Sequence, residues 1–243
     1  MPNWYKLSKI YVGTNQVRPK KWREPWANTV AWYPLNNTTK NADMSWHNYN
    51  LTENYTPTYT GINWVEALKT WANLWYLTSS SVPIPYANQA RTISAWAYSH
   101  AYSSTYNNWF MLSYGWPDAT KYHIFAQATR YWNSYQFAFG TDASSYITDW
   151  ANTLNVWKLH TTVVTWSAAL YYVDGVLVWS QAKTLSTDST SSRQFCIGSY
   201  NVAPTANDYR WRFYISNVVI EKVARSADDV ANYYNLTKSQ YWL

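Results

Sequence analysis

The stretch "ALYYVDGVLVWS", Ala169 to Ser180, places two runs of β-forming residues on either side of Asp174–Gly175. A type I′ turn needs φ > 0 at both central residues, and Asp-Gly adopts that geometry at little steric cost. The stretch therefore predicts two antiparallel strands joined by a tight turn. Which sheet they join depends on what surrounds them.

Outward from the hairpin, runs of the same kind recur. Strands are predicted over 29–35, 92–99, 108–114, 122–129, 135–140, 157–167, 169–174, 176–181, 193–200 and 211–222. They are short, β-branched or aromatic, and separated by Asn, Ser, Thr and Asp, the pattern of a two-sheet sandwich or a barrel. In 211–222 neither alternate face is uniformly polar, which predicts a bulge or a buried edge there. Strand aromatics such as Trp96, Trp166 and Tyr172 are expected in the core or on a sheet surface. One helix is predicted, Ser226 to Leu236. Ser226 caps it, Asp229 completes a capping box, and Val230, Tyr233 and Tyr234 make an apolar stripe. Coming after so many strands, this helix is expected to lie as a lid on a sheet face or edge. Residues 36–91 divide least readily, with edge strands expected near "YNLT" and "LWYLT".

A chain of 243 residues suffices for one all-β domain with an appended arm. Its six glycines are about a third of ordinary usage, so the turns must rely on Asn, Asp, Ser and Thr. The net charge of +6 is concentrated at one end: residues 1–26 hold six cations against Glu24 alone, leaving the rest nearly neutral. This predicts a basic aromatic arm and linker over 1–27 and a single domain over 28–243. In the arm, Lys9, Tyr11, Arg18, Lys20, Lys21, Trp22 and Arg23 are the expected assembly contacts. So few cations, interleaved with aromatic and aliphatic residues, suit an acidic protein surface better than nucleic acid. Cys196 is the lone cysteine; it excludes an internal disulfide and reads as a small buried hydrophobe. "MPNWYKLSKI" lacks the apolar core and cleavage site of a signal peptide, and no run approaches the roughly eighteen apolar residues of a membrane span. The expectation is a chain made in the cytoplasm with no secretory route.

In chain order, "NTVAWYPLNN", "ADMSWHNYNLT", "TISAWAYS", "WKLHTTVVTWSAALYYVDGVLV", "RQFCIGSY" and "YISNVVIEKVARSADDVANYY" resemble the laminin-G-like jelly-roll domains of the concanavalin A-like lectin/glucanase superfamily. The resemblance covers roughly Asn28 to Tyr234 and is most specific over 157–234. It implies an all-β fold: a two-sheet antiparallel sandwich of the concanavalin A-like jelly-roll type, with a short C-terminal helix and the N-terminal arm outside it. The opening "KIYVGTNQVRPKKW" is similar to the starts of tail- or head-associated bacteriophage proteins. That similarity implies a virion protein, released at lysis rather than secreted.

The glucanase branch of the superfamily places carboxylates in "E-x-D-x-x-E" on one strand, because retaining chemistry needs two about 5 Å apart. This sequence has no such run, no H-x-x-x-H and no G-x-S-x-G, so it is read as no enzyme; His160 is read as an ordinary strand residue. Some relatives bind calcium, and Asp43 stands where the family often has a ligand aspartate. However, Ser216 and Asn217 replace the acidic pair of "IDEV", so no cofactor is expected and Asp43 is read foremost as a turn former. Eighteen Trp and 24 Tyr exceed what one core holds. Beside Asn, Asp and Ser, such rings offer stacking faces and hydrogen bonds to sugars. The candidate contact residues, read on loops, are Trp46, Tyr49, Tyr106, Trp109, Trp116, Trp132, Tyr200 and Asp208. The expected function is a non-catalytic carbohydrate-binding or adhesion module on a virion, in a homo-oligomer, meeting a cell-surface glycan or neighbouring subunits. A purely structural subunit using the same rings for protein contacts is the alternative, and a glycoside hydrolase relative the second.

Overall fold

In a computed structural model the chain is described over residues 10–12, 15–17, 27–54, 56–70, 76–79, 82–99, 108–117, 122–130, 134–139, 146–149, 154–182, 195–199 and 213–243. The predicted hairpin is present: Val173 pairs with Val176, and Asp174 and Gly175 both have positive φ. Asp174 also binds backwards. Its Oδ1 accepts the Leu159 N–H at 3.0 Å, and its Oδ2 pairs with the Lys158 ammonium at 2.6 Å.

The hairpin strands β14 (Ala168–Val173) and β15 (Val176–Ala182) edge an eight-stranded antiparallel sheet. Inward from them lie β13 (Trp157–Val164), β8 (Arg91–Ser99), β17 (Phe213–Glu221), β6 (Val65–Thr70) and β5 (Thr58–Ile62). The eighth, β3 (Thr29–Tyr33), pairs with the second half of β17. Facing this sheet is a seven-stranded one in the order β12 (Tyr146–Asp149), β11 (Ser134–Phe139), β10 (Tyr122–Arg130), β9 (Asn108–Pro117), β16 (Phe195–Ile197), β7 (Tyr76–Ser79) and β4 (Thr52–Asn54). The result is the two-sheet antiparallel sandwich of a jelly roll. Within the arm, β1 (Ile10–Val12) and β2 (Asn15–Val17) form a separate two-stranded sheet.

Side-chain alternation builds two cores on the two faces of β8. Ile93, Ala95 and Ala97 face the seven-stranded sheet and pack with Leu77, Met111, Phe195 and Ile197. Trp96 and Tyr98 face the other way, against Trp157, Leu159 and Tyr214. A face so aromatic cannot be left wet, and the chain end covers it. Helix α1 (Ala227–Thr237) and a 3₁₀ turn (Lys238–Tyr241) lay Tyr233, Tyr234 and Tyr241 over it. The helix starts as predicted: the Ser226 side chain accepts from the Asp229 N–H, and the Asp229 carboxylate accepts from the Ser226 N–H. Cys196 is buried as expected, and burial pushes its thiol well up.

The bulge expected in 211–222 is Asn217, which has φ 53° and interrupts the register between Ser216 and Val219. Both ends of its side chain are engaged: Oδ1 accepts the Trp32 indole N–H at 2.5 Å, and Nδ2 donates to the Tyr233 hydroxyl at 3.1 Å. The bulge thus ties β3 to the helix and lets β6 and β3 share one side of β17.

Two expectations need correction. The strand over 157–167 ends at Val164, where Thr165 Oγ1 accepts the Ser167 and Ala168 N–H groups and turns the chain. Trp166 is therefore a turn residue, 65% exposed, and neither core nor sheet. In 36–91 the strand near "YNLT" is β4, at the edge of its sheet as expected, but the one near "LWYLT" is β7, which lies inside the sheet between β16 and β4. An unexpected hairpin, β5–β6, lies between them in the chain.

Candidate functional site

The loop after β3 carries the first of the predicted contact residues and is built around Asp43. Asn41 and Leu51 close its base: the Leu51 N–H donates to the Asn41 carbonyl at 2.9 Å, and the Asn41 amide returns a bond to the Leu51 carbonyl. Inside, the buried Asp43 carboxylate accepts four bonds. Its Oδ1 takes the N–H groups of Trp32 (2.9 Å) and Ser45 (2.8 Å); its Oδ2 takes the Ser45 hydroxyl (2.7 Å) and the Tyr49 N–H (2.9 Å). Asn50 Oδ1 accepts the Asp43 N–H at 2.9 Å. The Tyr33 hydroxyl, in the core, donates to the Tyr49 carbonyl at 2.7 Å, and burial and Asp43 together raise that phenol far above its ordinary range. A carboxylate surrounded by N–H donors is an anchor for the loop, the turn-forming role expected of Asp43.

On this frame stands Trp46, 70% exposed. Beside it, His47 and Tyr49 stack with centroids 5.5 Å apart and planes 17° from parallel. The surface offered is an indole, an imidazole–phenol stack and the polar edges of Asn48 and Asn50.

The other predicted residues are dispersed. Trp109, read on a loop but also at the start of the strand predicted over 108–114, lies in β9 opposite Thr129. Trp116, expected on a loop, also lies in β9, opposite His123, because the pairing of β9 with β10 continues to Pro117. Tyr11 lies in β1 opposite Gln16. Tyr106, Trp132, Tyr200 and Asp208, and in the arm Lys9, Arg18, Lys20, Lys21, Trp22 and Arg23, fall outside the described residues. Among the described residues no group of three His, Cys, Asp or Glu could hold a metal ion, and no helix is long and apolar enough to cross a membrane. His160 lies buried between the sheets, its Nδ1 hydrogen-bonded to the Tyr171 hydroxyl at 2.6 Å.

Sequence reading passed over Trp64, which is 90% exposed at the β5–β6 turn. The signal was Asn63, a residue that tolerates φ > 0, between two short mixed runs, "TYTGI" and "VEALKT".

Solved structures of similar architecture share little sequence with the chain. Domain 4 of the GH43 extracellular arabinanase AbnA from Geobacillus stearothermophilus, in complex with arabinotriose, is 15% identical with a TM-score of 0.60, covering 84% of this chain and 97% of that one. The botulinum neurotoxin serotype D ligand binding domain, in complex with N-acetylneuraminic acid, is 13% identical with a TM-score of 0.63, covering 86% and 50%. The binding domain of Paraclostridial Mosquitocidal Protein 1 is 13% identical with a TM-score of 0.63, covering 86% and 52%. The chain thus spans about half the length of the toxin binding domains it resembles. No curated protein matches the chain in sequence. Residues 75–231, well over half of the sequence, match a laminin-G-type family model, and the chain belongs to the concanavalin A-like lectin/glucanases superfamily.

Proposed function

We propose that the protein is a non-catalytic carbohydrate-binding module displayed on a virion, with the 43–50 loop as a sugar-contact surface. The observation that carries the reading is an exposed indole, Trp46, on a loop whose shape is already fixed by Asp43. A sugar presents C–H patches to an aromatic face and hydroxyls to the polar groups around it. A loop held in one shape loses little conformational freedom when it binds. Membership of a lectin-containing superfamily and the sugars held by two similar structures support the same class of ligand. Display on a virion draws on the basic aromatic arm and its similarity to phage protein starts.

The test is a glycan array followed by calorimetry on the wild type and Trp46→Ala. The variant is expected to fold normally and lose roughly tenfold in affinity, about 1.4 kcal/mol, the upper end of what a stacked aromatic contributes. Equal binding by the variant, or a wild type that binds no glycan, overturns the reading. Deleting residues 1–26 is expected to leave a folded sandwich that no longer joins its particle.

A second reading, a structural subunit, is favoured by the edge strand β15. Val176, Leu177 and Val178 are exposed there, and the strand carries no charge to deter pairing with another chain. Val178→Lys would dissociate such an assembly and leave glycan binding intact.

A further inference from the structure

We propose that the tip of the β5–β6 hairpin is a second sugar-contact site, one that takes an uncharged glycan through its hydroxyls. It rests on the carbohydrate-binding reading above and lies apart from the 43–50 loop in sequence.

Three features converge at this tip. First, Asn63 and Trp64 form a two-residue turn between the paired Ile62 and Val65, with φ 47° and 66°. A left-handed φ at a bulky residue is an outlier, and Asn-Gly would make the same turn without strain. The indole is kept against local preference and yet is 90% exposed, so it contributes little to the core. Strain retained at a solvent-facing residue points to a contact made with something else.

Second, Gly61 stands directly opposite Glu66 in the β5–β6 register. Its φ is not in the left-handed region, and a Cβ there would meet nothing within 4 Å. Neither backbone nor packing demands glycine, which leaves a bare, open patch of strand. Glycine inside a strand marks a place where a ligand can approach the backbone closely.

Third, Glu66 is held in place across from that patch. The Asn37 N–H donates to one of its oxygens at 3.1 Å, and the Asn37 amide approaches the other at 3.5 Å. A fixed carboxylate retains lone pairs for neighbouring hydroxyls in charge-assisted bonds. The same negative charge disfavours an acidic sugar.

The experiment is an array of uncharged and sialylated glycans, probed with the full chain as wild type, Trp46→Ala, Trp64→Gly, Gly61→Val and the control Trp166→Ala, with Tm measured for each. Trp64→Gly and Gly61→Val are expected to weaken binding to uncharged glycans at least fivefold, and Trp166→Ala to leave it unchanged. The Tm of Trp64→Gly is expected to equal or exceed that of the wild type, because the turn strain is relieved. If Trp46→Ala loses binding while Trp64→Gly and Gly61→Val retain it, the second site is refuted and the carbohydrate reading stands. If Trp64→Gly lowers Tm, the indole serves the fold and the second site is refuted. A wild type silent on every glycan refutes both.

Discussion

The indole of Trp96 and the ring of Tyr241 stack with centroids 4.0 Å apart and planes 15° from parallel. Trp96, in the middle of β8, donates its N–H to Thr237 Oγ1 at 3.2 Å, and the Tyr241 hydroxyl meets Ser216 Oγ at 3.2 Å. Tyr241 also packs on Trp157, with centroids 5.0 Å apart. The C-terminal turn therefore completes the outer core. Tyr241→Ala is expected to cost about 3–5 kcal/mol, as for a buried aromatic, whereas Tyr241→Phe loses one hydrogen bond and about 1 kcal/mol. Denaturant titration checks both; a Tyr241→Ala chain as stable as the wild type would mean that the turn does not seal the sheet in solution.

His160 should make the fold sensitive to acid. Burial, and secondarily the Lys158 charge, lower its pKa from 6.5 to about 3, so it is neutral in the folded chain at ordinary pH. Between those values the unfolded chain binds a proton that the folded chain refuses. Stability from this group is complete above about pH 6.5 and falls with pH, with a limiting slope of about 1.4 kcal/mol per unit, until about pH 3. His160→Gln removes this dependence at the cost of a repacked core. The difference between the Tm–pH curves of the two proteins should grow in the variant's favour from pH 6.5 to pH 4. Parallel curves would show that His160 is charged or solvated in the native state.

The parts of the fold legible in the sequence are those where local chemistry and global architecture agree. Asp174–Gly175 and Ser226–Asp229 each encode their geometry within four residues, and both stand as predicted. A bulge or buried edge within 211–222 could be inferred because neither alternate face is uniformly polar, but its position at Asn217 emerges only from the pairing of β17 with β8. The β5–β6 hairpin was hidden because Asn63–Trp64 turns the chain without the usual glycine. The site was half legible. Trp46 and Tyr49 could be picked out as loop aromatics, but the anchoring role of Asp43 needs Trp32, eleven residues earlier, beside it. Which of the many rings are exposed depends on the tertiary pairing: Trp96 and Trp166 look alike in sequence, yet one is buried and the other open.

Asp43→Ala should separate loop order from fold stability. Four donors lose their acceptor, and Trp32, Ser45 and Tyr49 must find water or rearrange. The expected loss is about 2–4 kcal/mol, since bonds to a charged acceptor are worth about 1.5–3 kcal/mol and the opened loop lets water replace some of them. Amide exchange should accelerate at Ser45 and Tyr49 well before the β8 amides are affected. Unchanged exchange at those two amides would refute the anchor.

Gly175→Ala tests how the hairpin and the helix fit together. Gly175 has φ 81°, so any side chain is strained there, and its Cβ would come within 3.0 Å of Ala231 Cα and 3.1 Å of Tyr234 Cβ. The nearer obstacle is backbone, so trimming Ala231 to glycine gives no relief; α1 itself has to move. Backbone strain and overpacking together predict a loss of roughly 2–4 kcal/mol. Asp174→Asn, by contrast, keeps an acceptor for the Leu159 N–H and loses only the partly exposed pair with Lys158, worth about 1 kcal/mol or less. Hydrogen exchange should show the Gly175→Ala effect in Ala227–Thr237 as well as in β14 and β15, because the displaced helix carries Tyr234 away from Trp96. An effect confined to the hairpin would mean that the turn and the helix do not touch.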